Sequence, residues 1–151
     1  SYSDASPRLE ALAWGGEDLS AEIGARATVT DDGTLTSPFQ LARDLCLLGA
    51  TAAGVAAIDQ VYVRLGDEAG LDREARAAAR DGFDGKMAVH PDQIPIVNAA
   101  FTPTAEEVAR AQALVAAFEA QGSTGGVFRH EGQMVDAPHL ARARRLLARA
   151  R

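Results

Sequence analysis

Short apolar runs alternate along this chain with longer segments in which apolar residues recur every three or four positions. The first run, Leu9 to Trp14, stops at Gly15-Gly16-Glu17-Asp18 and leads into a short helix predicted to end near Gly24. Residues 25–36 are polar and glycine-containing, a loop. Ser37-Pro38 predicts a helix start, Ser as the N-cap and Pro in the first turn. Leu41, Leu45, Leu48 and Ala52 form the stripe expected to face the core, and Gly54 ends that helix. Ile58 to Leu65 predicts a second strand, with Val61 and Val63 alternating with Tyr62 and Arg64, followed by a Gly66-Asp67-Glu68 turn. An Ala-rich helix over Leu71 to Arg80 stops at Gly82, and residues 85–90 predict a third strand that Pro91 ends. This alternation signals βα units and a mainly parallel sheet.

The rhythm then changes. Asp92 is placed to cap a short helix through Ala99, and Thr104 with Glu107 spells a capping box for a long helix to about Gln121. Gly122 to Gly126 predicts a flexible linker. Val127-Phe128, a Glu131-Gly132 turn and Met134-Val135 predict a small hairpin. A last helix runs from about Ala137 to the end, with Leu140, Leu146 and Leu147 on one side. The pattern divides the chain at about residue 100: 1–100 as βα units, 101–151 as a helical extension with a hairpin.

The 151 residues suffice for one domain with a real core, because a domain of this size buries roughly 70% of its unfolded surface. A net charge of −6 argues against nucleic acid as the main partner, since phosphate binding needs clustered Lys and Arg. The one basic cluster, Arg142, Arg144, Arg145, Arg149 and Arg151, is expected to be the solvated face of the terminal helix. A single cysteine, Cys46, excludes an intramolecular disulfide and a multi-Cys zinc site; its helical spacing with Leu41, Leu45 and Leu48 favours a buried structural thiol. No apolar run approaches the ~18 residues of a membrane span and no signal peptide is visible, so a cytoplasmic, reducing location is expected. Ser1 stands where an initiator Met is usual, which points to a chain processed, tagged or cut from something longer.

Two acids mark the candidate chemistry. Asp18 and Asp136 each stand where an apolar run stops and a helix begins, the junction at which open α/β sheets and α/β barrels build their sites. A metal ligand and a general base fit these places. So does helix N-capping, at which Asp excels. His90 is expected to end its strand and face the site, as a substrate contact or a structural hydrogen bond; Gln93 is a weaker version of the same. His130 and His139 are expected at the surface, Trp14 in barrel packing, and Lys86 as a solvated strand-start lysine or a phosphate contact. There is no GxGxxG or other phosphate loop.

Four stretches in register resemble the citrate lyase β-subunit-like proteins of the HpcH/HpaI aldolase superfamily, which includes malyl-CoA and citramalyl-CoA lyases. They are Ser6-Pro7-Arg8-Leu9 through Trp14-Gly15-Gly16-Glu17-Asp18-Leu19; Ala57-Ile58-Asp59-Gln60-Val61-Tyr62-Val63; Gly82-Phe83-Asp84-Gly85-Lys86-Met87-Ala88-Val89-His90-Pro91-Asp92-Gln93-Ile94; and Gly132-Gln133-Met134-Val135-Asp136-Ala137-Pro138. The resemblance implies an α/β fold, the C-terminal part (strands 6–8) of a (β/α)8 TIM-type barrel with a helical C-terminal extension. It implies that strands one to five, with an Arg that grips substrate and a Glu that shares the metal, lie outside these residues. Asp18 is then the Mg2+ ligand. Gly16, Glu17 and His90 are substrate-binding, the first two through backbone amides. Asp136 is the catalytic base, delivered by the extension of a neighbouring subunit in a homo-oligomer, a trimer.

The implied reaction is a Claisen-type cleavage, or its reverse, of a short 3-hydroxyacyl thioester of coenzyme A to an acyl thioester and an α-keto acid. Two alternatives remain beside this lyase: a non-catalytic half-barrel that binds a partner chain, and a CoA-independent pyruvate-type aldolase. The extension's Gly132-to-Asp136 motif speaks against the second.

Overall fold

In the computed structural model, residues 2–120 and 127–150 are described, so the predicted linker at 122–126 lies outside the described residues. The chain forms two compact units, Ser1–Phe101 and Thr102–Arg151.

The first unit is a three-stranded parallel sheet with helices on one face. After a 3-10 turn at Tyr2–Asp4 come β1 (Ala11–Ala13), α1 (Gly16–Ile23), α2 (Ser37–Ala53), β2 (Ala56–Asp59), α3 (Glu68–Asp81), β3 (Gly85–Lys86) and α4 (Gln93–Phe101). The strand order is β1-β2-β3, with Ala11 opposite Ala56, Ile58 opposite Gly85 and Asp59 opposite Lys86. Trp14, Phe39, Ala50, Ala57, Ala78 and Phe83 pack into one core between sheet and helices, and Tyr62, Leu71 and Val97 form a smaller one. The opposite sheet face is thinly covered: Ala11 and Ala13 are exposed and Ile58 is half-buried.

The predicted strands shrink. The first is three residues, the second stops at Asp59 rather than Leu65, and the third ends at Lys86 rather than His90. A ladder is only as long as its partner allows, and β3 pairs on one side only. Beyond β2 the expected alternation is reversed, with Tyr62 buried and Val63 exposed.

The larger correction concerns α2. Leu41, Leu45 and Leu48, predicted to face the core, are 59%, 59% and 65% exposed. The buried face carries Phe39, Arg43 and Ala50, with Cys46 and Leu47 packed at its edge. The reason is electrostatic: Arg43 must face the sheet to reach two carboxylates there, and a charged residue on the packed face disguises that face in an apolar pattern. Cys46 keeps its structural character on the other stripe. Burial, reinforced by the negative charge of Asp59, pushes its thiol pKa up, which holds it in the unreactive protonated form.

The second unit contains α5 (Ala105–Ala120), an antiparallel hairpin of β4 (Val127–His130) and β5 (Gln133–Asp136), and α6 (Ala137–Arg149). The capping box is present: the Thr104 N–H donates to Glu107 Oε2 at 2.8 Å and the Glu107 N–H to Thr104 Oγ1 at 3.2 Å. Glu131 and Gly132 turn the hairpin with φ of 46° and 83°, the paired positive values of a tight type I′ turn. Val135, Ala111 and Ala143 are buried, and Phe118 meets Phe128 edge-on at 4.8 Å. Arg142, Arg144 and Arg145 are exposed on α6. Among the described residues no helix is long and apolar enough to cross a membrane.

Candidate active site

Gly16, Glu17 and Asp18 come together on the first turn of α1, directly after β1. Asp18 is not the N-cap; that place is Gly15, whose carbonyl accepts from the Leu19 N–H at 3.0 Å. The N–H groups of Gly16, Glu17 and Asp18 therefore have no intrahelical acceptor, as at any helix start. Glu17 and Asp18 are both exposed, and Asp18 makes no hydrogen bond or ion pair with another described residue.

One glycine is sterically constrained here. A Cβ on Gly15 would stand 2.8 Å from Asp18 Oδ2, the free end of an exposed side chain that folds back over the turn and can swing away. A Cβ on Gly16 would collide with Gln60 Oε1 and stand 3.2 Å from Cζ3 of Trp14, a buried ring with little room to give. Close approach, not an unusual backbone angle, favours glycine at position 16, while Gly15, with φ of −119°, is extended backbone.

Behind the turn lies a group of charges of which only Lys86 carried an expectation from the sequence. Asp59 is 1% exposed and accepts a hydrogen bond from Trp14 Nε1 at 2.7 Å. Arg43 Nε lies 3.4 Å from its Oδ1 and Lys86 Nζ 3.4 Å from its Oδ2. Each cation holds a second acid: Arg43 with Asp81 at 2.9 Å and Lys86 with Glu74 at 2.5 Å. The Arg43 guanidinium also lies over the Phe83 ring, 4.7 Å from its centroid. Lys86 is thus neither solvated nor free for a phosphate; its side chain is fully buried, because at the end of β3 it points to the helix-covered face beside Asp59. The legible signal was an acid closing the apolar run Ala56-Ala57-Ile58, since an acid in a buried strand needs partners.

His90 is exposed, four residues past the last residue of β3 rather than at a strand end. Its Nδ1 accepts the Asp92 N–H at 3.3 Å. It lines a cavity of about 140 Å3 with Arg64, Asp67, Gln93 and Ile96. The Gly15–Asp18 turn does not line that cavity. Gln93 is structural: its Nε2 donates to the Tyr62 carbonyl at 2.8 Å and its Oε1 accepts the Val89 N–H at 2.9 Å, pinning the two loops that follow β2 and β3 to each other. At the cavity wall, the Tyr62 hydroxyl donates to Asp67 Oδ2 at 2.5 Å and the Gly70 N–H to its Oδ1 at 2.9 Å. The Tyr62 hydroxyl and the Gly70 N–H, in that order, hold the Asp67 carboxyl below the usual carboxylate range. Burial and then the bond to Asp67 push the phenol up, so Tyr62 remains a donor.

Asp136 closes β5 and is the N-cap of α6, with Pro138 in the first helical turn. Its Oδ1 lies 2.6 Å from His139 Nδ1, and its N–H points at the same ring nitrogen at 3.3 Å. One nitrogen cannot donate and accept at once. The shorter contact prevails, with Nδ1–H donating to Oδ1. His139, expected at the surface, is half-buried and tied to the very acid proposed as base; the missed signal was its place three residues past the N-cap, where side chains reach back.

Among the described residues no three His, Cys, Asp or Glu side chains converge as a metal cage. Asp18 suits a narrower role. It is a hard oxygen donor with no internal partner, and Mg2+ takes one or two carboxylates while keeping waters.

Comparison with known proteins shows the family. The family model described as C-C_Bond_Lyase of the TIM-Barrel fold matches residues 36–151. The chain belongs to this carbon–carbon bond lyase family. It is 42% identical over 143 residues to the mitochondrial citramalyl-CoA lyase of Rattus norvegicus, covering 94% of this chain and 41% of that protein. It is 41% identical over 139 residues to a citrate lyase subunit beta-like protein of Mycobacterium tuberculosis, covering 92% of this chain and 50% of the other. Among solved structures, protein CitE of M. tuberculosis in complex with magnesium, acetoacetate and coenzyme A superposes with a TM-score of 0.82 at 40% identity, over 91% of this chain and 51% of that one. The chain thus spans about half the length of the curated relatives it matches.

Proposed function

We propose that this chain is the C-terminal part of a Mg2+-dependent lyase that cleaves or forms a short 3-hydroxyacyl-CoA of the citryl, malyl or citramalyl type. The observation that carries it is Asp18: an exposed carboxylate with no partner among the described residues, on a helix start packed against Trp14 at Gly16 and at the carboxyl end of a parallel strand. Family membership and the magnesium- and coenzyme A-bound M. tuberculosis structure support the same assignment.

In this reading β1, β2 and β3 are strands six, seven and eight of the barrel. A barrel's inner face is filled by side chains from all its strands, and a complete barrel runs to ~250 residues. The thinly covered sheet face with Ala11 and Ala13, and the exposed row Leu41, Leu45 and Leu48 on α2, are surfaces that the preceding strands and helices would cover. Residues 1–100 belong to the barrel, and 101–151 form an extension that closes a neighbouring subunit's site. The working form is a homo-oligomer, which we assign as a trimer. A single half-buried thiol suits a reducing compartment, which we take to be the cytoplasm.

Asp18 would hold the magnesium, which when bound supplies a Lewis acid for the carboxylate and hydroxyl oxygens of the substrate. The N–H groups of Gly16 and Glu17, without intrahelical acceptors at the start of α1, would orient the keto-acid carboxylate. His90 would contact the substrate from its own loop. In cleavage, the substrate hydroxyl loses its proton and becomes the ketone; the carbon–carbon bond breaks and its electron pair passes to the thioester enolate. The enolate takes up a proton to give the acyl thioester. In condensation Asp136, oriented by its contact with His139, removes that proton from the thioester.

Calorimetric titration of Mg2+ with pyruvate into the full-length polypeptide tests the assignment. Asp18→Ala is expected to lose most of the Mg2+-dependent binding. Undiminished binding would reduce Asp18 to a first-turn acid that merely suits the helix dipole.

A further inference from the structure

We propose that Asp59, acting through Trp14, is the positioning residue for the turn that carries Asp18. This deepens the magnesium assignment above and rests on it.

The connection is short and buried. Asp59 faces the helix-covered side of the sheet, is 1% exposed and does not line the cavity beside His90. Its Oδ1 takes the Trp14 indole N–H at 2.7 Å. The far edge of that indole, at Cζ3, stands against Gly16, and the side chain of Gln60, next in sequence to Asp59, closes on the same glycine. Gly16 is the first residue of α1 and Asp18 is the third. A tilt of the indole would therefore move the helix start, and with it the carboxylate two residues on.

Asp59 itself is held from two sides by Arg43 and Lys86, and each cation is anchored by a further acid, Asp81 and Glu74. Buried ion pairs of this kind add little stability over a well-packed apolar core, because desolvation offsets attraction. What they do supply is a fixed orientation for the shared acid. Because Gly16 packs against the indole edge, that orientation is transmitted to the helix start.

The experiment uses four variants of the full-length polypeptide: Trp14→Phe, Asp59→Asn, Asp18→Ala and, as a control for general loosening of the same core, Phe39→Leu. Calorimetric Mg2+ titration is expected to show about tenfold weaker affinity for Trp14→Phe and Asp59→Asn, the usual scale for outer partners of a metal ligand, with circular dichroism unchanged. Phe39→Leu is expected to lower the melting temperature and leave Mg2+ affinity alone. Trp14 is the single tryptophan of these 151 residues, and its emission can be isolated as the difference between wild type and Trp14→Phe. That signal is expected to shift on Mg2+ addition and to lose the shift in Asp18→Ala. Trp14→Phe binding Mg2+ as tightly as wild type, or Phe39→Leu weakening it equally, would overturn the proposal. Should Asp59→Asn fail to fold, Trp14→Phe decides alone, since it leaves all the charges in place. Loss of binding in Asp18→Ala with full binding in Trp14→Phe refutes only the positioning role; full binding in Asp18→Ala refutes the magnesium assignment beneath it.

Discussion

Asp18 and Asp136 both stand where a strand gives way to a helix, yet the chain handles them in opposite ways. Asp18 is exposed and has no partner among the described residues, while everything under its turn is clamped: Gly16, an indole, and a buried acid between two cations. Asp136 is itself engaged, its carboxylate 2.6 Å from His139, and it rides on a four-residue strand of a two-stranded hairpin. An acid meant to bind a cation is best left free on a rigid base. An acid meant to accept a proton needs a neighbour that keeps it aimed. The same residue type at the same kind of junction therefore suits two roles, and its partners distinguish them.

The largest expected effect comes from the proton-handling side. Asp136→Asn keeps the shape of the cap but cannot take a proton, so turnover should fall by about 10²–10⁴-fold while Mg2+ and keto-acid binding persist. His139→Ala removes only the partner and should cost far less turnover, together with about 1 kcal/mol of helix stability from the weakened cap. Equal losses for the two would erase the distinction drawn above. Steady-state kinetics beside thermal melting separates the outcomes.

Next in size is Gly16→Ala. Helix propensity alone favours Ala by up to about 1 kcal/mol. The Cβ would strike Gln60 and the Trp14 ring, and overpacking costs about 1–3 kcal/mol, so a net loss of stability with weakened Mg2+ binding is expected. A stabilised Gly16→Ala protein would show that the turn has slack after all.

The smallest effect concerns pH. Because Asp67 has a folded-state pKa below its unfolded value, its contribution to stability is complete above about pH 4 and disappears as pH falls through the lower, folded value. Melting temperature measured downward from pH 5 should therefore fall more steeply in wild type than in Asp67→Asn. The two curves running parallel would mean that the Tyr62 contact contributes nothing. Neither Asp18 nor Asp136 takes part in that contact, so the test also checks that acid sensitivity belongs to the cavity wall.

Local chemistry was readable wherever neighbours in sequence are neighbours in space. The Thr104–Glu107 capping box, the Glu131-Gly132 turn and the glycine stops at Gly24, Gly54 and Gly82 each depend on a few consecutive residues. So does the location of Asp18 and Asp136 at strand-to-helix junctions. The face of α2 was not readable, because two rows on that helix are apolar enough to be buried. Arg43 selects between them by reaching Asp59, 16 residues along the chain, and Asp81, 38 residues along.

What the sequence determined by itself is the alternation of strand and helix, the family, and the two acids on which the chemistry centres; short-range patterns and whole motifs suffice for these. Only the tertiary structure decided which acid is free and which is paired, that Lys86 and Asp59 are buried together, and that Trp14 joins them to the Gly16 turn. The physical reason is that a buried charge is tolerated only with its partners, and those partners are brought together by the packing of sheet against helices, not by proximity along the chain.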